Sequence, residues 1–287
     1  MTMTSAPLSD PAGPLAETRR THLASLQALR SAVAHSAQLW RRVSDSDAQV
    51  PGLDWTAAET AAHVIGDLRD YTQSLSRYAN GYLTHADRAP ESPSKLSAAL
   101  NARHLSDVPD RNLHRLATLL EESAARYLAV ASAVEGDGSI LTPNGLVITP
   151  STMTGLLLGE QLIHGLDIAR ATERMWSISP EDARLVIPAV LSVAPNYLRA
   201  SRAHERVSFE IRIRGGERYR MAVRDGAARV TGAGEAADCT ISAEPVAFLL
   251  LGYGRVPQWS PLVRGKIRPG GRMPWRTMKF GTLLASP

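Results

Sequence analysis

The chain has 287 residues, 44% of them hydrophobic and 21% charged, with a formal net charge of +4. These values fit a soluble globular protein long enough for two domains, and its scattered basic residues and 5% aromatic content argue against a nucleic-acid arm or a base-stacking platform. The lone cysteine, Cys239, excludes an internal disulfide framework and a CxxC metal site, so thiol chemistry needs a thiol from outside.

The opening "MTMTSAPLSDPAGPLAE" lacks the basic start and apolar run of a secretory signal, and residues 1–14 are expected to be a disordered tail. No stretch approaches the ~18 apolar residues of a membrane span. A cytoplasmic protein with neither membrane nor nucleic-acid partners is therefore expected.

Residues 15–204 read as helical. Leu23, Leu26, Leu29, Val33 and Trp40 mark a first long helix that ends before "SDSDAQVPGLD". A second begins at Thr56, where Glu59 completes a Thr-x-x-Glu capping box, and runs to about Tyr78. "NGYLTHADRAPESPSKLSAALNARHLSD" then reads as an extended connection. A third helix covers roughly residues 108–134 and stops at "EGDG". "SILTPNGLVITP" suggests a short hairpin, and a fourth helix spans about residues 151–175. "SPEDARLVIPAVLSVAPNYLRAS" forms a fifth, bent or divided by its prolines. Long helices joined this way suggest a four-helix bundle.

After residue 205 the period changes to two. Val207, Phe209, Ile211 and Ile213 alternate with polar residues, as do Tyr219, Met221 and Val223. "ADCTISA" is a further strand, "PVAFLLLGYG" a short apolar helix, and "VRGKIRPGG" and "PWRTMKFGTLLA" add strand and helix pieces. Residues 205–287 thus read as a small α+β domain, giving an α plus α+β chain overall.

Within the fourth helix, "GEQLIHGLDIARA" sets Glu160 and His164 one turn apart, with Asp167 continuing that face. A polar trio bordered by aliphatic residues is costly to bury unless something satisfies it, and a divalent cation would do so. A solvated helix edge, or a Glu–His hydrogen bond, explains the same pair without a cation. His63 lies about 200° around the second helix from Ala61, away from the stripe of Ala61, Ile65, Leu68 and Leu75. By that geometry it reads as a surface histidine beside Glu59 and Asp67. His22, His35, His85, His104, His114 and His204 lack comparable spacing and are expected at the surface or at helix ends.

"VPGLDWTAAETAAHVIGDL" resembles the Trp-then-His signature of the mycothiol-dependent maleylpyruvate isomerase family, within the DinB-like metal-binding bundles; His63 follows Trp55 by eight residues. "GEQLIHGLDIARAT" resembles the family's second signature, E-x-x-x-H-x-x-D. The resemblance implies His63, Glu160 and His164 as metal ligands and Asp167 as a residue that orients them. "LLLGYGR" and "VRGKIRPGG" resemble the sterol-carrier-like domain behind the bundle in the same family, which implies a functional role for Arg255.

The resemblance further implies a divalent metal, zinc first among the choices, and mycothiol as thiol cosubstrate. A thiol on such a metal loses its proton. Thiol S-transfer to an electrophilic small metabolite is the leading expectation, with cis–trans isomerisation of the maleylpyruvate type as the alternative. Arg255 is expected to clamp a substrate carboxylate or phosphate. A non-catalytic carrier of an apolar ligand is a further reading, which requires a continuous apolar tunnel in the C-terminal domain.

Overall fold

The computed structural model describes residues 14–82 and 93–285. The expected tail and His85 accordingly lie outside the described residues, apart from Pro14. Helix α1 (Pro14–Trp40) buries Leu26, Leu29, Val33, Ala37 and Trp40 at three- and four-residue spacing, whereas Leu23 is exposed. Helix α2 (Ala57–Ala79) starts on the anticipated capping box. The Glu59 amide donates to Thr56 Oγ1 at 3.2 Å, and the Thr56 amide donates to Glu59 Oε2 at 2.9 Å.

The extended connection expected next is corrected in part. Helix α3 (Pro93–Asp107) occupies its second half. Pro93 sits at the helix start, where its missing N–H costs nothing, and Leu96, Ala98, Ala99, Leu100 and Ala102 supply helix propensity. Helix α4 (Leu113–Ala131) follows, capped by Asn112, whose side chain accepts from the Arg115 amide at 3.0 Å. Strands β1 (Ile140–Leu141) and β2 (Val147–Ile148) pair antiparallel as the predicted hairpin. Helix α5 (Pro150–Ala171) carries the Glu160 segment.

Helices α1, α2, α4 and α5 pack on one another as the bundle, and α3 leans on α2. Their shared core includes Leu29, Trp40, Ile65, Leu68, Leu116, Leu120 and Tyr127. The buried Tyr127 hydroxyl is satisfied by Thr154 Oγ1 at 2.8 Å, which ties α4 to α5.

Helix α6 (Pro180–Val193) passes through Pro188 and stops two residues before Pro195, after which two 3-10 turns lead into the second domain. There the sheet order is β5 (Ala227–Gly232), β4 (Arg218–Arg224), β3 (Val207–Ile213), β6 (Cys239–Ala243), β7 (Ile267–Gly270). Neighbours are antiparallel except β3 and β6, which are parallel with Ile211 opposite Ile241.

Helix α7 (Pro245–Gly252) and the short helices α8 (Trp259–Val263) and α9 (Phe280–Leu283) complete the domain. Phe209, Ile211, Ile241, Phe248, Phe280 and Leu283 fill its core together with Ile187 and Leu191 of α6. Helix α6 therefore serves both halves: its Ala183 and Val186 join Leu158, Leu162, Leu249 and Tyr253 in a third cluster that cements α5 to α7. Each such large apolar side chain buried there contributes roughly 1.5–3 kcal/mol. Among the described residues no helix is long and apolar enough to cross a membrane.

Candidate metal centre

The buried first half of α2 explains where His63 goes. Ala57, Ala58, Thr60, Ala61 and Ala62 are all buried because α4, α5 and α3 close around this turn from several sides. Small side chains let those neighbours approach, so no solvent face is left for a histidine to occupy. The surface position expected from the helical wheel is thus corrected: His63 is 6% exposed and points at α5. A single apolar stripe describes a helix at a protein's edge, and α2 is not at the edge.

His63 Nε2 lies 3.6 Å from Glu160 Oε2, and His164 Nε2 lies 3.1 Å from the same oxygen. The two rings meet edge to face with centroids 5.2 Å apart. One ligand atom from each of His63, Glu160 and His164 falls within 4.8 Å of the others, a spacing that one cation bound at about 2.0–2.2 Å accommodates. Two imidazoles and a carboxylate are the donor chemistry of a catalytic divalent site with coordination positions left for other ligands. Trp55, in the loop entering α2, stacks obliquely on His63 at 5.0 Å between centroids and walls that side of the cluster.

The opposite side of His164 is held by charge. Its Nδ1 is 3.0 Å from Asp167 Oδ2. Arg255, just beyond α7, donates from Nε to Asp167 Oδ1 at 2.8 Å and from an Nη to Oδ2 at 2.7 Å, a bidentate pair. Its other Nη donates to the Tyr253 carbonyl at 2.7 Å. Arg255 therefore does reach across from the C-terminal domain, with each of its three guanidinium nitrogens donating to a protein acceptor. In this structure the bidentate partner of Arg255 is Asp167.

Burial acts against every charge here, and the pairing decides the outcome. For Glu160, desolvation favours the neutral acid, but hydrogen bonds from His164 and His63 outweigh it and hold the carboxyl well below its usual range. For His164, desolvation would lower the pKa, yet bonds to Asp167 and Glu160 push it up to about 9. Asp167 is lowered by His164 and Arg255 against its own desolvation. Asp67, one turn beyond His63, is raised, chiefly by burial.

Because the folded value of His164, about 9, lies above the ordinary 6.5, the proton stabilises the ion-free fold fully below pH 6.5, and that contribution is lost as pH rises through about 9. Thermal unfolding of chelator-treated protein is expected to show a falling midpoint between these limits, on the order of 3 kcal/mol in total. A saturating divalent cation replaces that proton on Nε2, so the slope should flatten when it is present.

Three features escape the reading of the sequence. His104, expected at the surface or at a helix end, lies in the last turn of α3 but is only 2% exposed, with its Nδ1 3.2 Å from the Nδ1 of His63. His22 is also buried, its Nε2 3.1 Å from the Ala131 carbonyl. His35, His114 and His204 are exposed as expected. In addition, the phenols of Tyr71, Tyr197 and Tyr253 feel the charges of Glu160 and Asp67, and burial above all raises them, so they stay protonated donors at neutral pH. Tyr253 comes this close because Gly159 lacks a side chain; a Cβ there would sit 2.5 Å from the phenol oxygen.

Residues 29–169, about half of the chain, match the family model of the mycothiol maleylpyruvate isomerase N-terminal domain. Among solved structures, the mycothiol-dependent maleylpyruvate isomerase and its single-histidine alanine variant each overlay with a TM-score of 0.54 at 13% identity, covering 86% of this chain and 92% of theirs. That likeness extends the shared fold across both domains. The curated proteins give no match. His63, Glu160 and His164 all fall within the matched segment, and the chain belongs, through this N-terminal domain, to the mycothiol maleylpyruvate isomerase family.

Proposed function

We propose that this protein is a mycothiol-dependent enzyme in which His63, Glu160 and His164 hold one divalent cation, and that it transfers the thiol to an electrophilic small metabolite. The observation that carries this reading is the meeting of three ligand atoms, two from α5 and one from α2, at the bundle's junction with the C-terminal domain. A divalent cation bound there supplies the acidity that turns a bound thiol into a thiolate and fixes its sulfur.

The chain's own residues do the rest. Glu160, ionised at neutral pH, contributes the negative donor of the set, and the two imidazoles contribute neutral nitrogen donors. Asp167 keeps the His164 Nδ1 protonated so that Nε2 presents its lone pair. Trp55 walls one side of the site, and the protonated phenols of Tyr71, Tyr197 and Tyr253, close enough to feel the Glu160 charge, would offer hydrogen bonds to an oxygen that gains negative charge on the acceptor. In S-transfer the sulfur–carbon bond forms as the leaving group departs with its electron pair, and the thiol proton passes to solvent.

The family and fold favour a second reading, cis–trans isomerisation. The sulfur adds to one carbon of a conjugated double bond and the π electrons move onto the conjugated carbonyl. Rotation follows, the sulfur–carbon bond breaks, and the thiol is regenerated. The carrier reading requires a continuous apolar tunnel, whereas the cavity among Ile241, Leu251, Leu262, Ile267 and Phe280 encloses about 10 Å³ and a larger one of about 210 Å³ is edged by the charged Arg184 and Glu217.

One experiment separates these. Metal-loaded protein is incubated with mycothiol and either a fluorogenic bimane electrophile or maleylpyruvate. Conjugate formation with thiol consumption supports transfer, and isomerised product with thiol conserved supports the second reading. No metal-stimulated, mycothiol-dependent turnover of either would end the proposal.

A further inference from the structure

On the far side of His63 from Glu160 lies a second imidazole that the metal reading does not use. His104 comes from α3, the helix that the sequence pattern did not announce. Its Nε2 is 3.0 Å from Asp70 Oδ2, and that carboxylate is also paired with Arg103. Its Nδ1 faces His63 Nδ1 at 3.2 Å. Asp67 Oδ1 is farther off, 3.7 Å from His104 Nδ1, and Asp67 Oδ2 lies instead 3.2 Å from His63 Nε2.

Hydrogen-bond accounting then fixes the tautomers. The Asp70 carboxylate accepts, so His104 Nε2 carries the proton and His104 Nδ1 is left as the acceptor toward His63. The nearest donor to that acceptor is His63 Nδ1–H. With Nδ1 committed to His104, Nε2 is the nitrogen that meets the carboxylates of Glu160 and Asp67, and a cation at the site would take the place of the proton they share there.

A second observation points to the same arrangement. Gly66, one turn beyond His63 on α2, sits under the His104 ring, and a Cβ there would lie 2.3 Å from the ring carbon. A glycine inside a helix costs about 1 kcal/mol relative to alanine. Here it opens the gap through which His104 reaches His63.

We propose that His104 is a positioning residue for His63, setting its tautomer and ring orientation for metal binding through an Asp70–His104–His63 relay. It mirrors the Arg255–Asp167–His164 relay on the other ligand, so both imidazoles are held from behind by a charged pair. The inference rests on the metal reading of the site and adds to it a residue from a helix outside the two signature segments. Outer partners of this kind typically change metal affinity 10- to 100-fold.

The test measures zinc affinity by competition with a chromogenic chelator. His104→Leu is expected to weaken zinc binding 10- to 100-fold at unchanged stoichiometry of one. His104→Asn keeps an acceptor near the Nδ1 position and is expected to recover most of that loss. Gly66→Ala, which displaces the ring without removing it, should reproduce the loss. Unaltered affinity in both His104→Leu and Gly66→Ala would overturn the proposal. So would a stoichiometry of two in the wild type falling to one in His104→Leu, because His63, Asp67 and His104 would then be holding an ion of their own.

Imidazole nitrogen resonances of the ion-free protein provide an independent reading. A coupling between the two Nδ1 atoms is expected, and its absence would refute the relay. Failure of the wild type to bind zinc would instead defeat the metal reading itself.

Discussion

Replacing His63 with alanine is expected to weaken divalent-cation binding by more than about 100-fold and to take the thiol-dependent rate down with it, since a ligand contributes more than the outer partners that orient it. Three protein donors converge on one point, and removing one leaves Glu160 and His164 as a two-donor pair on a single helix. Thermal unfolding of the ion-free variant serves as the control. His63 is buried, so some stability is lost with its packing, but the fold rests mainly on the apolar core among α1, α2, α4 and α5. A variant that stays folded, binds the cation as before and turns over would remove His63 from the ligand set.

The second large effect concerns the pair that joins the domains. Arg255→Ala is expected to destabilise the protein by about 3–5 kcal/mol, read from denaturant unfolding, because it strands the Asp167 carboxylate in a site where it is almost wholly buried. Lysine is not expected to rescue it, since an ammonium cannot reproduce the two parallel N–H···O bonds. Combining Arg255→Ala with Asp167→Asn should cost less than the two losses added together, because the second change removes the charge that the first leaves unpaired. The double variant should still bind metal more weakly than the wild type, His164 having lost its carboxylate partner. Full additivity would mean that the two side chains act independently, contrary to their geometry.

Much of this architecture was legible because local chemistry wrote it. The capping box at Thr56 and Glu59 marked the start of α2, and the alternation at Val207, Phe209, Ile211 and Ile213 marked β3. The E-x-x-x-H-x-x-D spacing by itself sets three polar groups along α5.

What stayed hidden depends on contacts between segments far apart in the chain. His63 looked solvated because the wheel assumes one buried face, whereas α2 is enclosed by several helices. His104 lacked any local signal: its burial comes from Gly66 and Asp70 on another helix. Arg255 follows the apolar "LLLGYG" run, but its partner Asp167 lies 88 residues away, and no spacing rule reports that pairing. Tyr253 reaches the site by leaning on Gly159, a glycine whose purpose appears only when α7 is in place.

The most direct measurement is a titration of ion-free protein with cobalt(II), followed through its visible absorption bands in the wild type and in the His63→Ala and Glu160→Gln variants. The wild type is expected to saturate at one equivalent with the spectrum of a nitrogen- and oxygen-ligated ion, to gain a sulfur-to-metal charge-transfer band on adding mycothiol, and to lose both signals in either variant. A wild-type protein that gives no bound-cobalt spectrum, or variants that titrate as the wild type does, would show that α2 and α5 do not meet to hold a metal.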